Sequence, residues 1–189
     1  MKTLTFDSYP ILLVSDVHAD ITKIKKIKRK HPEIQNRVFL GDLFDFLCPE
    51  NNYATGEWLK TEINDWIWIA GNHCVETIRG EHNIDRSHKY LFNNNFHICV
   101  RLNVGQDSYL LCHSKPRDLW RFINAGYTER ELLEDFPDLT GIKYILSGHT
   151  HKETIHTFLD SDCQIIQIGA AKDKKYGILT EKGVEFKRL

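Results

Sequence analysis

Seven residues able to bind a metal stand at the ends of five short apolar runs. Asp16 and His18 follow residues 11–14, and Asp42 follows 38–40 and a glycine. Asn72 follows 67–70 and another glycine, with His73 beside it; His113 follows 109–112, and His149 and His151 follow 144–147 and Gly148. A short apolar run reads as a buried strand, and ligands in layered α/β proteins collect just beyond the carboxyl ends of strands. Carboxylate, amide oxygen and imidazole together suit Mn, Fe, Zn or Co better than thiolate-seeking ions. A D-x-H or a G-H-x-H arises often by chance. Five of the chain's ten histidines at strand ends, three of the five runs followed by a glycine, do not. The pattern predicts a metal site on one edge of a sheet.

The elements that would position these residues are legible in outline. Residues 3–9 predict a short edge strand leading to a strand at 11–15. Asp20 is a suitable N-cap, and Ile21, Ile24 and Ile27 recur at helical spacing until His31-Pro32 ends the helix. Lys23, Lys25, Lys26, Lys28, Arg29 and Lys30 are then that helix's solvated face. A strand at 37–41 completes a βαβ unit, whose crossover should be right-handed. A loop at 43–49, a helix at 53–62 and a strand at 66–70 follow. The polar stretch 74–95 reads as a loop and then a helix near 84–92. Strands at 96–102 and 108–112 flank a turn at Gly105, and 115–140 reads as helical, with Thr128 and Glu131 forming a capping box. The tail predicts strands at 143–147, 153–158, 164–168, 175–180 and 184–188.

The bulk properties narrow the class. At 189 residues the chain reads as one domain, 1–189, large enough for a substantial core. A net charge of −1 offers no bulk attraction to nucleic acid or to acidic membranes. No apolar run approaches the roughly 20 residues that span a bilayer, and residues 1–10 lack a signal peptide's apolar core. Five cysteines with no CxxC pair do not form a disulfide framework, which favours a reducing, cytoplasmic setting.

Taken in order, D-x-H at 16–18, G-D-x-x-D at 41–45, G-N-H at 71–73, His113 and G-H-x-H at 148–151 resemble the calcineurin-like metallophosphoesterase superfamily. The resemblance spans residues 11 to 151, with the C-terminal strands supplying the second sheet. It implies an α/β fold, a four-layer α/β/β/α sandwich of two mixed sheets flanked by helices. It further implies two divalent ions, Mn first, with Fe, Zn, Co or Ni as alternatives. Asp16, His18, Asp42 and His151 would hold one ion, and Asp42, Asn72, His113 and His149 the other, with Asp42 bridging. Hydroxide held between the ions would attack phosphorus. His73 occupies the family's general-acid position, oriented by Asp45.

Two positions depart from the family pattern. Cys74 replaces the usual acid after G-N-H and reads as a packed thiol. Phe46 follows Asp45 where the protein Ser/Thr phosphatase branch carries a phosphate-clamping Arg. The chain instead resembles the small prokaryotic-type phosphodiesterases, so a phosphate-ester substrate, nucleotide-derived ones included, is the expected partner. A phosphomonoesterase or nucleotide pyrophosphohydrolase is the alternative on the same site, and a non-catalytic scaffold of the same fold the alternative from another class. Arg79, His82, His88, Lys115, Arg117 and Arg121 are candidate substrate contacts.

Overall fold

The computed structural model describes residues 1–121, 128–136, 138–157 and 163–189. Apolar runs at the predicted places become strands, and among the described residues they form two six-stranded mixed sheets. The first is built on β2 (Ile11–Val14), β3 (Asn36–Leu40), β4 (Ile67–Ile69) and β5 (Phe96–His97), all parallel. It is closed on the far side by β11 (Lys175–Thr180) and β12 (Gly183–Arg188), both in antiparallel register. The second has the order β1 (Lys2–Phe6), β6 (Cys99–Val104), β7 (Asp107–Cys112), β8 (Ile142–Ser147), β10 (Gln164–Ile168) and β9 (Glu153–Thr157).

The sheets face each other across a core of Ile11, Leu13, Val38, Leu40, Leu102, Leu111, Leu146 and Ile166. Alternate residues of β2, β3 and β4, namely Leu12, Val14, Phe39 and Trp68, point the other way. There they meet α1 (Ile21–Lys30), α2 (Asn52–Glu62), α3 (Asn72–Gly80) and α4 (Arg86–Asn95) through Ile24, Ile27, Trp58, Leu59, Cys74, Ile78 and Phe92. On the outer face of the second sheet, Leu110, Ile145 and Ile165 pack on Leu132 and Phe136, from α5 (Glu129–Asp135) and its end. The layers are therefore α/β/β/α, as the resemblance implies.

Four expectations need correction. Residues 74–80 are not a loop, because α3 begins at Asn72 itself and runs to Gly80. The stretch 96–102 is two strands in different sheets, with half-exposed Ile98 where the chain crosses over. Among the described residues, the helix expected over 115–140 appears only as α5, with its Thr128–Glu131 capping box; residues 115–121 form turns, and 122–127 and 137 lie outside the described residues. The C-terminal strands do not make the second sheet alone, since β11 and β12 join the first and β1, β6 and β7 belong to the second. Among the described residues, no helix is long and apolar enough to cross a membrane.

Candidate metal centre

The carboxyl ends of β2, β3, β4, β7 and β8 bring the expected ligands to one place. Two triads, Asp16–His18–His151 and Asp42–His113–His149, each offer ligand atoms lying within 4.8 Å of one another. The ring nitrogens His18 Nε2 and His151 Nε2 approach to 3.2 Å, and His151 Nε2 lies 3.2 Å from Asp16 Oδ1. On the other side His113 Nε2 lies 3.1 Å from Asp42 Oδ2, while His18 Nε2 is 3.9 Å from the same oxygen. Asp42 thus stands between the two groups.

The chain enters this geometry through strained backbone. Asp16, His18, Asp42, His149 and His151 all adopt the left-handed region, with φ of 53°, 47°, 57°, 72° and 58°. Each such residue costs on the order of 1–3 kcal/mol and persists only where its surroundings enforce it. The surroundings do so here. Val17 and His18 N–H donate to the Asp42 carbonyl, and Lys172 N–H donates to the Asp16 carbonyl. The three glycines that precede ligands have separate reasons. Gly41 supplies a φ of 99°, whereas Gly71 and Gly148 supply room: a Cβ there would lie 2.1 Å from Asp42 Oδ1 and from Ser15 Oγ respectively.

Asp16, Asp42, Asn72 and His113 are buried, and Asp16 Oδ1, Asn72 Oδ1 and His113 Nε2 have no hydrogen-bond partner. Leaving such atoms unsatisfied in the interior costs about 1–3 kcal/mol each, more for a charged group. All three are the ligand-type atoms of residues singled out from the sequence. Divalent cations, one in each group, would satisfy them, so the residues fit the metal.

Neighbours aim the imidazoles. His113 Nδ1 donates to the Leu40 carbonyl at 2.7 Å, leaving Nε2 for the cluster. The Trp120 carbonyl accepts a hydrogen bond from His149. Such partners fix ring orientation and tautomer in metal sites. The titration tendencies carry the same imprint. Burial lowers the pKa of His113, but the Asp42 and Asp16 carboxylates outweigh it and raise it to about 9. Burial likewise works against Asp16 ionisation, yet the His113 charge, the nearby His151 and the Ser15 hydroxyl hold its pKa down. His18 and His149 are lowered, chiefly by burial. In a metal-free cluster a proton on His113 balances the carboxylates, and a cation would replace it.

His73 is half-buried, and its Nδ1 lies 2.9 Å from Asp45 Oδ1. Its backbone N–H donates to Asp42 Oδ1, also at 2.9 Å. Asp45 faces two ways, because its Oδ2 is 3.3 Å from His18 Nδ1, a contact not aligned as a hydrogen bond. His73 also falls within ligand range of His18 and Asp42. Cys74 is a packed thiol as expected; its Sγ accepts from Leu43 N–H, and burial pushes its pKa up to about 12.

The outer candidates separate. His88 is fully buried, bonds Glu57 at 2.9 Å and closes the capping box of α4, so it does not face substrate. Lys115 lies 3.6 Å from Glu131 and 3.7 Å from Asp135, and Arg121 3.4 Å from Asp118. Arg79 and Arg117 line a cavity of about 300 Å³ beside Asn72, with Trp120 at its edge. A larger cavity, about 590 Å³, lies at the opposite end of β3 against Trp58 and Lys28, whose amine is paired with Glu62 and Asp65. That pairing keeps Lys28 within a solvated charge network and away from the site. Sequence reasoning missed Ser15, whose buried hydroxyl donates to Leu40 O at 2.9 Å and to Asp16 Oδ2, and it missed Trp120. Ser15 was signalled by its place beside Asp16; Leu119-Trp120 by being an apolar pair among charges.

A layered α/β protein with histidines, aspartates and an asparagine gathered at its strand ends belongs to the class of metal-site hydrolase folds. The model of the calcineurin-like phosphoesterases matches residues 9–153, and the chain belongs to that family of metal-dependent phosphoester hydrolases. Among solved structures it is similar to a metallophosphoesterase from Sphaerobacter thermophilus, at 20% identity and a TM-score of 0.65 over 96% of this chain and 88% of that one. An archaeal phosphodiesterase matches at 16% identity and 0.59, over 96% and 100%. A cold-active protein tyrosine phosphatase matches at 12% identity and 0.65, over 100% and 80%. At these identities the likeness is one of fold. Among curated proteins, none matches.

Proposed function

We propose that the chain, taken as one domain over residues 1–189, is a dinuclear metal-dependent phosphodiesterase acting in a reducing, cytoplasmic setting. Asp16, His18, Asp42 and His151 would hold one cation, and Asp42, Asn72, His113 and His149 the other. Two divalent cations, Mn before Fe, Zn, Co or Ni, would supply charge for the phosphoryl oxygens and acidify the attacking water. The chain's own residues do the rest. Asp45, held below the ordinary carboxylate pKa by the Leu47 N–H and by His73 against the effect of burial, stays charged and orients the His73 ring. With Nδ1 donating to Asp45, the other ring nitrogen of His73 carries the proton that the leaving oxygen needs.

The observation that carries the diester reading is Phe46. Its ring lies 4.8 Å from that of His73, where a guanidinium would have clamped a phosphate dianion. A monoester brings more charge and needs such a clamp; an ester substituent fits against an aromatic ring. Arg79 and Arg117 in the cavity beside Asn72 favour the second reading, a phosphomonoesterase or nucleotide pyrophosphohydrolase. The scaffold reading is disfavoured because His73 and the full ligand set are present. With Mn²⁺ supplied, kcat/KM for a bis-aryl phosphodiester should exceed that for the matching monoester, and Phe46→Arg should move the ratio toward the monoester. A wild-type preference for the monoester would overturn this reading.

A further inference from the structure

Trp120 is 51% exposed, one of few large apolar side chains left in solvent, and it stands on the rim of the candidate centre. Its ring centroid is 5.9 Å from that of Phe46, with the two planes at 82°, and 6.5 Å from that of His73. Phe46 in turn lies 6.3 Å from His82. At that separation Phe46 and Trp120 cannot sandwich a third ring. They make a corner: a planar group would stack on one face and meet the other edge-on, both favoured aromatic geometries.

The backbone that carries Trp120 is held in place before any ligand arrives. The Ser114 hydroxyl donates to Leu119 O at 2.9 Å, and Lys115 N–H to Arg121 O at 3.1 Å. Trp120 N–H donates to Asp118 Oδ1 at 3.2 Å, while the Trp120 carbonyl receives the bond from His149. A rim backbone tied this tightly loses little freedom on binding.

Resting on the reading above, in which His73 protonates the leaving oxygen, we infer that Phe46 and Trp120 form the seat of the leaving group, and that the preferred leaving alcohol carries a planar ring. His73 borders the corner, beside both rings, so a group stacked on its open faces lies next to the oxygen that His73 serves. A nucleoside and a simple arylmethyl alcohol share that chemistry. The polar groups Arg79, Arg117 and Asp118 in the adjoining cavity favour the nucleoside, whose heteroatoms they can engage.

The test compares three methyl phosphodiesters, whose second ester alcohol, the one expected to leave, is a nucleoside, benzyl alcohol or methanol. All three are alkyl alcohols, so the need for protonation is similar and the ring is the main variable. Wild-type protein should favour the nucleoside and benzyl esters over the methyl ester, the nucleoside most. Trp120→Ala should cut that preference by roughly 5- to 150-fold, the range implied by base–aromatic stacking. Trp120→Phe should keep most of it. Bound metal should be unchanged, because the Trp120 carbonyl remains to orient His149. No ring preference in the wild type, or one untouched by Trp120→Ala, overturns the inference. So does an equal loss on all three esters together with loss of metal, which would make Trp120 merely structural. Should Trp120→Ala not fold, Phe46→Leu tests the same corner. If the enzyme proves to prefer monoesters, the diester reading fails by itself, and nucleoside, benzyl and methyl monoesters still decide the role of the corner.

Discussion

Gly71→Ala isolates the packing that seats the Asp42 carboxylate. Gly71 has φ −104° and ψ 171°, a conformation alanine adopts freely, so no backbone strain enters. The conflict is spatial. The new Cβ would stand 2.1 Å from Asp42 Oδ1 and 2.5 Å from the Asp42 backbone nitrogen, where ordinary contact begins near 3.4 Å. Carboxylate and methyl must separate by about 1.3 Å, and the backbone neighbour rules out an easy escape. Misplacing a catalytic group by about 1 Å costs on the order of 10²-fold, and overpacking costs about 1–3 kcal/mol of stability. Gly71→Ala should therefore fold with a modestly lowered Tm, lose metal on dialysis and lose at least about 100-fold in kcat/KM. Gly105→Ala is the control: its φ is +58°, but nothing lies within 4 Å of the added carbon. It should cost about 1 kcal/mol through left-handed strain, with metal and turnover intact. Elemental analysis, thermal unfolding and phosphodiester turnover on both variants read the contrast. A Gly71→Ala protein with full metal and activity within threefold of wild type would refute the argument.

Three further outcomes follow from other parts of the molecule. His73→Asn should keep its metal and lose roughly 10²–10⁴-fold on poor leaving groups, with less loss on acidic phenols; loss of metal would instead make His73 a ligand. Native protein at pH 8 should show one fast-reacting thiol, exposed Cys48, because burial raises the pKa of Cys74 to about 12, of Cys99 and Cys163 to about 11 and of Cys112 well above the ordinary value, leaving little thiolate; several fast thiols in a reagent titration would contradict this. Tyr109, buried and bonded to Tyr9 and to Asp107, has its pKa raised first by burial and then by those neighbours, so its contribution is full below about pH 10 and is lost as pH rises further; Tyr109→Phe should flatten the alkaline limb of a stability–pH profile.

The strands and the residues at their ends were legible because one local signal, an apolar run meeting Asp, His or Gly-Asn, carries both. The same economy hid α3. Its first residue is Asn72, a ligand candidate, so the stretch read as a loop around a site; its buried face, Cys74, Thr77 and Ile78, is too short and mixed to announce a helix. Sheet membership was not legible at all. Residues 96–104 are uniformly strand-like, and only tertiary packing decides that Phe96–His97 completes one sheet while Cys99–Val104 pairs in the other.

The centre depends on information of a third kind, contacts between segments far apart in the chain. The left-handed turns at Asp16 and Asp42 are locked by hydrogen bonds between the loops after β2 and β3, and His149 N–H reaches Asp16 Oδ2 from the loop after β8 at 3.1 Å. None of these bonds is local, so none leaves a mark at a single position. Trp120 combines both limits. Its side chain belongs to one apolar pair among charged residues, and its carbonyl, which any residue would possess, is what ties the rim to His149. Position 120 can therefore change its side chain, and with it the preferred leaving group, without releasing a residue of the centre, whereas Gly71 has no such freedom. Loops that hold a centre through their backbone leave the side chains they carry free to vary.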